Sequence, residues 1–260
     1  MLDSTDLKFA FEDLNLADKP VIVHASLRPF GYIKSSVDAI LRAVLSSFKS
    51  VMMPAFTYKT MVTPEVGPPN NGIIYGSEKD LNKMAQAFTL NMRVDPIIGI
   101  LAETLQIRPF ATRTNHPILS FTGIRADEFL ITQTMTEPLA PIGALANADG
   151  WVVLINVDHS VNTSIHYAEK LTGRRQFIRW AIMGNRIVEC PGFPGDSSGF
   201  NAIAEHLKAD TRRVEVGAGF VQAVSLKCLF EAVQELIKKD PLALLCQRSD
   251  CERCNAIRGS

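Results

Sequence analysis

The sequence lacks the features that would place the chain in a membrane or on a charged polymer. It has no run of about 18 apolar residues, the length that indicates a transmembrane helix. Its first residues, MLDSTDLKFAFEDLNLADK, are too acidic for a signal peptide. The 27 basic residues equal the 27 acidic ones in number, so no overall field attracts nucleic acid or an anionic membrane. We therefore expect a cytoplasmic protein that binds neither.

Cysteine is too scarce and too unevenly spaced for a disulfide framework. The chain has five cysteines, an odd number, and three of them, Cys246, Cys251 and Cys254, fall in the tail 246–260. Cys251 and Cys254 form a C-x-x-C pair, but structural zinc normally has four ligands and the tail contains no histidine. We interpret the three as free thiols on a terminal segment and expect no metal.

Two common catalytic motifs are also missing. No G-x-S-x-G segment occurs, and Ser120 lies in a predicted strand, so a serine nucleophile on a sharp turn is not indicated. The glycine-rich segment 191–199 contains no G-x-x-x-x-G-K-S/T pattern, so the sequence gives no sign of a nucleoside triphosphate site.

The pattern of apolar segments predicts an α/β fold. Strands are predicted at 20–24 and 51–53, with a helix after Ser36 between them, which is the length of a parallel crossover unit. Segments 177–183 and 186–190, joined by Gly184-Asn185, predict an antiparallel hairpin. No repeat or linker divides the chain. We expect a single domain over 1–260, with a mostly parallel central sheet flanked by helices and a small antiparallel appendage.

The stretch Trp151–Thr172 carries the most suggestive side chains. An apolar strand leads through a turn containing Asp158 and His159 into a helix on which His166 and Glu169 share one face. A carboxylate at this spacing can orient an imidazole as a general base. A surface pair worth a few tenths of a kcal/mol fits equally well. A zinc site built on the two histidines has no standard ligand spacing.

Six segments, taken together and in this order, resemble the aminoglycoside N3-acetyltransferase family. The resemblance runs from Pro20 to Leu245. The segments are VIVHASLRPFGYI (21–33), VMMPAFTY (51–58), RTNHPILSFTGIRA (113–126), PLAPIG (138–143), VDHSVNTSIHYAE (157–169) and PGFPGDSSGFNAI (191–203). The chain departs from the family pattern at Ala25, Arg28-Pro29, Thr114 and Ala140, where small polar residues are usual.

The resemblance implies an N-acetyltransferase that moves the acetyl group of acetyl-CoA to an amine. The implied acceptor is the 3-amino group of a 2-deoxystreptamine aminoglycoside, and the implied general base is His166, oriented by Glu169 or Glu103. Transfer would be direct, without a covalent acyl-enzyme, in a monomer or homodimer. Another amine metabolite as acceptor, a metal-dependent hydrolase and a CoA-binding module without catalysis are the alternatives.

The resemblance also implies binding residues. For CoA, they lie on the first strand and its loop, the turn at 114 and the 141–143 connector: His24, Ala25, Ser26, Leu27, Phe30, Gly31, Thr114, Pro141, Ile142 and Gly143. Aminoglycosides are polycations, so carboxylates should surround them. The expected substrate-side residues are Tyr58, Glu65, Asp95, Asp158, His159 and Asp196.

Overall fold

A computed structural model describes residues 4–28, 36–77 and 79–259. Its α-helices are α1 (Ser4–Asp13), α2 (Val37–Ser47), α3 (Lys79–Met84), α4 (Ile100–Gln106), α5 (Asp127–Leu130), α6 (Ala140–Asn147), α7 (Thr163–Leu171), α8 (Leu226–Lys239) and α9 (Glu252–Arg258). Its strands are β1 (Pro20–Ala25), β2 (Ser50–Pro54), β3 (Met61–Val62), β4 (Thr112–Arg113), β5 (Phe121–Ile124), β6 (Trp151–Ile155), β7 (Phe177–Met183), β8 (Arg186–Phe193), β9 (Arg212–Val216) and β10 (Gly219–Ser225). Short 3₁₀ helices cover Tyr58–Thr60, His159–Val161 and Phe200–Leu207.

In the described part of the chain, seven strands form the main sheet in the order β4-β5-β2-β1-β6-β10-β9. The central strands β2, β1 and β6 are parallel. The outer pairs β6–β10, β10–β9, β2–β5 and β5–β4 are antiparallel. The α/β class is confirmed, but the expectation of a mostly parallel sheet is wrong outside the centre. β9 and β10 are joined by a tight turn at Gly217, and such a short connection can only make an antiparallel pair.

Both faces of the central sheet are buried, which explains the continuous apolar runs of its strands. Val21 and Val23 of β1 pack in one core with α1, α2 and α4, whereas Ile22 packs in the other core with α6, α7 and α8. Successive side chains of a strand point to opposite faces, so one short segment serves both cores.

A three-stranded antiparallel sheet, β3-β7-β8, forms the predicted appendage. The β7–β8 hairpin is confirmed, with Met183 paired to Arg186 across the turn. Throughout the ranges that the structure describes, no helix combines the length and the apolar character that crossing a bilayer demands.

Three local predictions need correction. The sequence pattern predicts helices over 77–90 and 97–106, but the first is limited to α3 and the second begins only at Ile100. The segment 138–143, expected to be a stiff connector, begins α6 instead. Pro141 lies in the first turn of that helix, where a missing N–H costs nothing.

Candidate active site

The carboxyl ends of the three parallel strands open into a groove of about 1020 Å³. Crevices at this edge of a parallel sheet are the usual ligand sites of open α/β folds. One wall is formed by residues that follow β1 and β6, and the facing wall by the segment that leads into α4. The lining includes His24–Arg28, Pro54, Arg93–Ile100, Glu103, Asn156–Asp158, Ser160, Val161 and Thr163.

Two unusual backbone positions shape this groove. Asn156 has a φ of 52° and ends β6, and its side-chain oxygen accepts a 2.8 Å hydrogen bond from the Phe220 N–H. Asparagine tolerates the left-handed conformation better than most residues. Gly99, with a φ of 106°, precedes α4, and an added Cβ would lie 3.2 Å from the Ala25 carbonyl oxygen. Glycine therefore lets the start of α4 approach the end of β1.

Part of the expected cofactor set lies in this groove. His24, Ala25, Ser26 and Leu27 line it, whereas Phe30 and Gly31 lie outside the described residues. The remaining expected residues lie elsewhere and belong to the packing of the fold.

Thr114 fastens β4 to β5, because its hydroxyl accepts a 2.8 Å hydrogen bond from the Phe121 N–H. Pro141, Ile142 and Gly143 are buried in α6, and Ile142 belongs to the core. Tyr167 of α7 packs directly against Gly143. For these four residues the structure gives a packing role, and the groove lining does not include them.

His24 and His159 form a neutral pair beside the groove. Burial, together with a smaller effect of the neighbouring His159, lowers the pKa of His24 to about 3. Burial also lowers the pKa of His159, although Asp158 opposes this. The Nδ1 atom of His159 lies 3.2 Å from the Asn162 amide nitrogen. Both imidazoles are therefore uncharged at neutral pH.

The start of α7 carries the predicted imidazole–carboxylate pair, and it is buried. Asn162 caps the helix by accepting a hydrogen bond from the Ser164 N–H. Nδ1 of His166 lies 3.2 Å from Oε2 of Glu169, and the two side chains are 10% and 3% exposed. Phe200 covers the imidazole, with ring centroids 4.6 Å apart. Such burial rules out the alternative of a surface pair.

Arg174 completes this arrangement and was missed by sequence reasoning. Its guanidinium donates to Oε1 of Glu169 at 2.5 Å and also to the carbonyl oxygens of Pro241 and Ala243. Its side chain is only 3% exposed. The one available signal was its position just after Gly173, which ends α7 with a φ of 81°.

Glu103 is not the carboxylate that contacts His166. Its two oxygens accept hydrogen bonds from the Arg93 side chain at 2.5 Å and from the Val94 N–H at 2.9 Å. Of the two carboxylates expected to orient the imidazole, the structure places Glu169 beside it. Glu103 faces the groove instead.

The expected substrate-side residues divide into two groups. Asp95 and Asp158 line the groove. His159 is buried behind it, and Tyr58, whose pKa burial raises to about 12, packs edge-on against Phe56. Glu65 is exposed and pairs with Lys79 outside the groove.

Asp196 is buried among the tail cysteines, which are also buried. The sequence suggested a place near the cationic substrate because Asp196 is an acidic loop residue. Its actual neighbours in space cannot be identified from the sequence. The sequence analysis treated the three thiols as free groups on a terminal segment, and it did not predict that they are buried.

Fold and site together define an α/β protein with a buried imidazole–carboxylate–guanidinium chain next to a long groove at the carboxyl edge of its sheet. Residues 22–238 match the family described as aminoglycoside 3-N-acetyltransferase. The chain belongs to that family, so the resemblance seen in the six sequence segments is confirmed.

Known relatives agree with this assignment. A stretch of 80 residues is 29% identical to aminoglycoside N(3)-acetyltransferase IV from Salmonella sp., and this match spans 29% of the chain and 31% of that relative's length. The apoenzyme structure of aminoglycoside acetyltransferase AAC(3)-IVa has a TM-score of 0.79 at 19% identity, covering 99% of this chain and 97% of the other. AAC-IIIb in binary complex with CoASH has a TM-score of 0.70 at 19% identity, covering 91% and 96%.

Proposed function

We propose that the chain transfers the acetyl group of acetyl-CoA to an amine, with an aminoglycoside as the acceptor and the 3-amino group as the reacting nitrogen. Family membership supports the reaction class. The observation that carries the mechanism is the buried chain His166–Glu169–Arg174 at the start of α7. The whole chain acts as one acetyltransferase unit in this proposal.

His166 is the proposed general base. Glu169, paired with Arg174, can only accept a hydrogen bond, so Nδ1 of His166 donates to it and Nε2 keeps a lone pair. Among the described residues, none hydrogen-bonds to Nε2. Thr163, one helical turn before His166 and on the same face of α7, lines the groove. His166 itself is not among the residues that line the groove, so the reach of its Nε2 into the groove is part of the proposal.

In this mechanism both substrates occupy the groove together. The amine nitrogen attacks the thioester carbonyl carbon while Nε2 of His166 takes its proton. The carbon–sulfur bond then breaks, and the imidazolium returns the proton to the CoA thiolate. Atoms and charges balance without a covalent acyl-enzyme. Burial around the imidazole keeps water from competing for the base.

The carboxylates of the groove support a cationic acceptor. Asp95, Asp158 and Glu103 line it together with Arg28, Lys59 and Arg93, and Arg93 pairs with Glu103. The chain has no net charge, and the lining has as many basic as acidic side chains. Attraction of a polycation therefore depends on Asp95 and Asp158, which form no ion pair within the described part of the chain. His24, Ala25, Ser26 and Leu27 form the part of the groove proposed to hold the pantetheine arm of CoA.

The test is His166→Ala, assayed by thiol release from acetyl-CoA with a panel of aminoglycosides and simple amines. Loss of the base should lower kcat by about 10²–10⁴-fold, while the affinity for CoA, measured by calorimetry, stays within about twofold. Glu169→Gln should give a smaller loss, because it disturbs only the orientation and charge of the imidazole.

His206→Ala is the matched control, since this histidine is exposed and should be silent. Turnover by His166→Ala at the wild-type rate would disprove the assignment of the base. No thiol release by the wild-type protein with any amine would disprove acetyl transfer. Turnover restricted to simple amines would replace the aminoglycoside as the acceptor.

A further inference from the structure

Four potential metal ligands from two distant segments converge at one buried point. Cys246, Cys251 and Cys254 of the tail meet Asp196, which follows β8. One ligand atom from each residue, three thiol sulfurs and a carboxylate oxygen, lies within 4.8 Å of every other. All four residues are at most 8% exposed. We call this group the cysteine cluster.

From this geometry we infer a structural zinc site formed by the cysteine cluster. Zinc binds thiolate at about 2.3 Å and favours four ligands in a tetrahedron, whose edges are then about 3.8 Å long. Contraction by about an ångström or less converts the present spacing into that tetrahedron. Three soft thiolates with one carboxylate favour zinc over the hard cations magnesium and calcium. The donor set is complete within the protein, which is typical of structural sites.

The local backbone and nearby hydrogen bonds position these ligands. Cys251 is the residue that precedes α9, and Cys254 lies in the first turn of that helix, so the C-x-x-C pair projects toward one point. Asp196 is held in place because one carboxylate oxygen accepts a 3.0 Å hydrogen bond from the Ser198 N–H. The Arg258 side chain donates to the carbonyl oxygen of Cys246.

The charges around the cysteine cluster suit a metal–thiolate centre. A zinc ion with three thiolates and one carboxylate carries two excess negative charges. Two guanidinium groups, those of Arg248 and Arg253, each lie 3.2 Å from Oδ2 of Asp196 and offset that excess. Such partners around the ligands orient them and tune the affinity for the metal.

The site would fasten the tail to the part of the protein that surrounds His166. Asp196 lies in the loop leading to Phe200, whose ring covers His166. Gly199 of that loop packs against the carbonyl groups of Leu244 and Leu245. The segment 241–245, which leads directly into the tail, thus contains these two carbonyl groups and also the carbonyl acceptors of Arg174. A metal at the cysteine cluster therefore fixes both supports of the imidazole while touching neither substrate.

The test is metal analysis of the full chain, expressed with added zinc and purified without chelator. We expect one zinc per chain by mass spectrometry of the metals. When the native protein is titrated with a thiol reagent, only the half-buried Cys228 should react rapidly, because Cys190 is buried. Replacement of zinc by cobalt should give the intense visible absorption of tetrahedral cobalt–thiolate bonds. These measurements are independent of acetyl transfer, so they do not depend on the proposed function.

Variants separate the ligands from the other cysteines. Cys254→Ser should lower bound zinc at least tenfold, and the milder Asp196→Asn should raise the rate at which a chromogenic chelator removes it. Cys228→Ser, outside the cysteine cluster, is the matched control and should keep one zinc.

Three results would overturn the proposal. They are the absence of zinc from the wild-type protein prepared in this way, a disulfide within the cysteine cluster, or full zinc content in Cys254→Ser. If Cys254→Ser fails to fold, the zinc content and the cobalt spectrum of the wild-type protein still decide the question.

Discussion

At the scale of single residues, the histidines differ more in their surroundings than in their chemistry. Three of the five, His24, His116 and His159, have a pKa lowered by burial. Nδ1 of His116 accepts hydrogen bonds from the N–H groups of Ile118 and Leu119, which requires the neutral ring. His166 alone is paired with a buried carboxylate. Neutral imidazoles thus serve packing and turns, and the paired one is the proposed base.

The lowered pKa values of His24 and His116 predict that the protein loses stability in mild acid. The pKa of His116 is about 4 when folded and 6.5 ordinarily, and that of His24 is about 3. Below pH 6.5 these histidines become protonated in the unfolded chain but stay neutral in the folded one. The free energy of unfolding should therefore fall as the pH drops from 6.5 toward 4, by roughly 2 kcal/mol per histidine at pH 5. Urea denaturation at pH 7.5 and pH 5 measures this fall.

His116→Asn provides the residue-level check, because the asparagine oxygen can still accept from the two backbone N–H groups. It should reduce the loss between pH 7.5 and pH 5 by roughly 2 kcal/mol. His206→Gln, at an exposed position, should leave the loss unchanged. An equal fall in stability for His116→Asn and the wild type would show that the buried imidazole of His116 is not a cause of the acid sensitivity.

At the scale of elements, the contact between α6 and α7 connects core packing with the site. Gly143 of α6 faces Tyr167 of α7, and a Cβ added there would overlap the tyrosine ring and hydroxyl. Tyr167 in turn packs against Phe230 of α8, with ring centroids 5.5 Å apart. Since Tyr167 is next to His166 in sequence, the close approach of the two helices also sets the position of the imidazole.

Gly143→Ala should consequently reduce stability and turnover together. Overpacking of this kind costs about 1–3 kcal/mol, measured as the free energy of unfolding in urea, and displacement of α7 should lower kcat. Combining it with Tyr167→Ala should remove the clash, so the double variant should lose about 1 kcal/mol less than the sum of the single variants. Strict additivity would mean that the two residues do not interact.

Secondary structure and side-chain pairs were predicted correctly where they depend on residues close in sequence, and missed where they depend on distant ones. The β7–β8 hairpin depends on Gly184-Asn185 and its flanking strands, and it was predicted from them. The α6 helix was not, because Pro138 and Pro141 read as a connector when the burial of Ile142 is unknown. The pairing of His166 with Glu169 followed from helical spacing. The contribution of Arg174 did not, because its carbonyl acceptors lie 67 and 69 residues away.

At the scale of the whole molecule, the fold decides which carboxylates reach the groove. Asp95, Asp158 and Glu103 face the groove, while Glu65, an equally plausible residue in the sequence, pairs with Lys79 elsewhere. Sequence alone could not separate these carboxylates, because their positions depend on the order of strands in the sheet. For the same reason, the contact of Asp196 with the tail cysteines could not be predicted from the sequence.

The groove carboxylates predict a salt-dependent affinity for a cationic acceptor. Asp95→Asn keeps an oxygen that can accept from the Ile97 N–H but removes a charge, so KM for an aminoglycoside should rise about three- to tenfold at low salt. KM for acetyl-CoA should stay constant, and the difference should shrink in about 1 M salt, where the Debye length is about 3 Å. Glu65→Gln is the matched control. An unchanged KM for Asp95→Asn would exclude Asp95 from acceptor binding.

The hydrogen bond from Arg174 to the carbonyl group of Ala243 affects how the protein folds during its synthesis on the ribosome. The two residues are separated by 69 positions, and ribosomes add about 5–20 residues per second. Arg174 is therefore synthesised about 3 to 14 s before its acceptor exists. During that interval its guanidinium has Glu169 as a partner but lacks its two carbonyl acceptors. The remaining N–H groups must stay hydrated, because burial without partners is too costly. The imidazole of His166 thus acquires its final setting late in synthesis, and a nascent chain that already contains the entire groove is still catalytically immature.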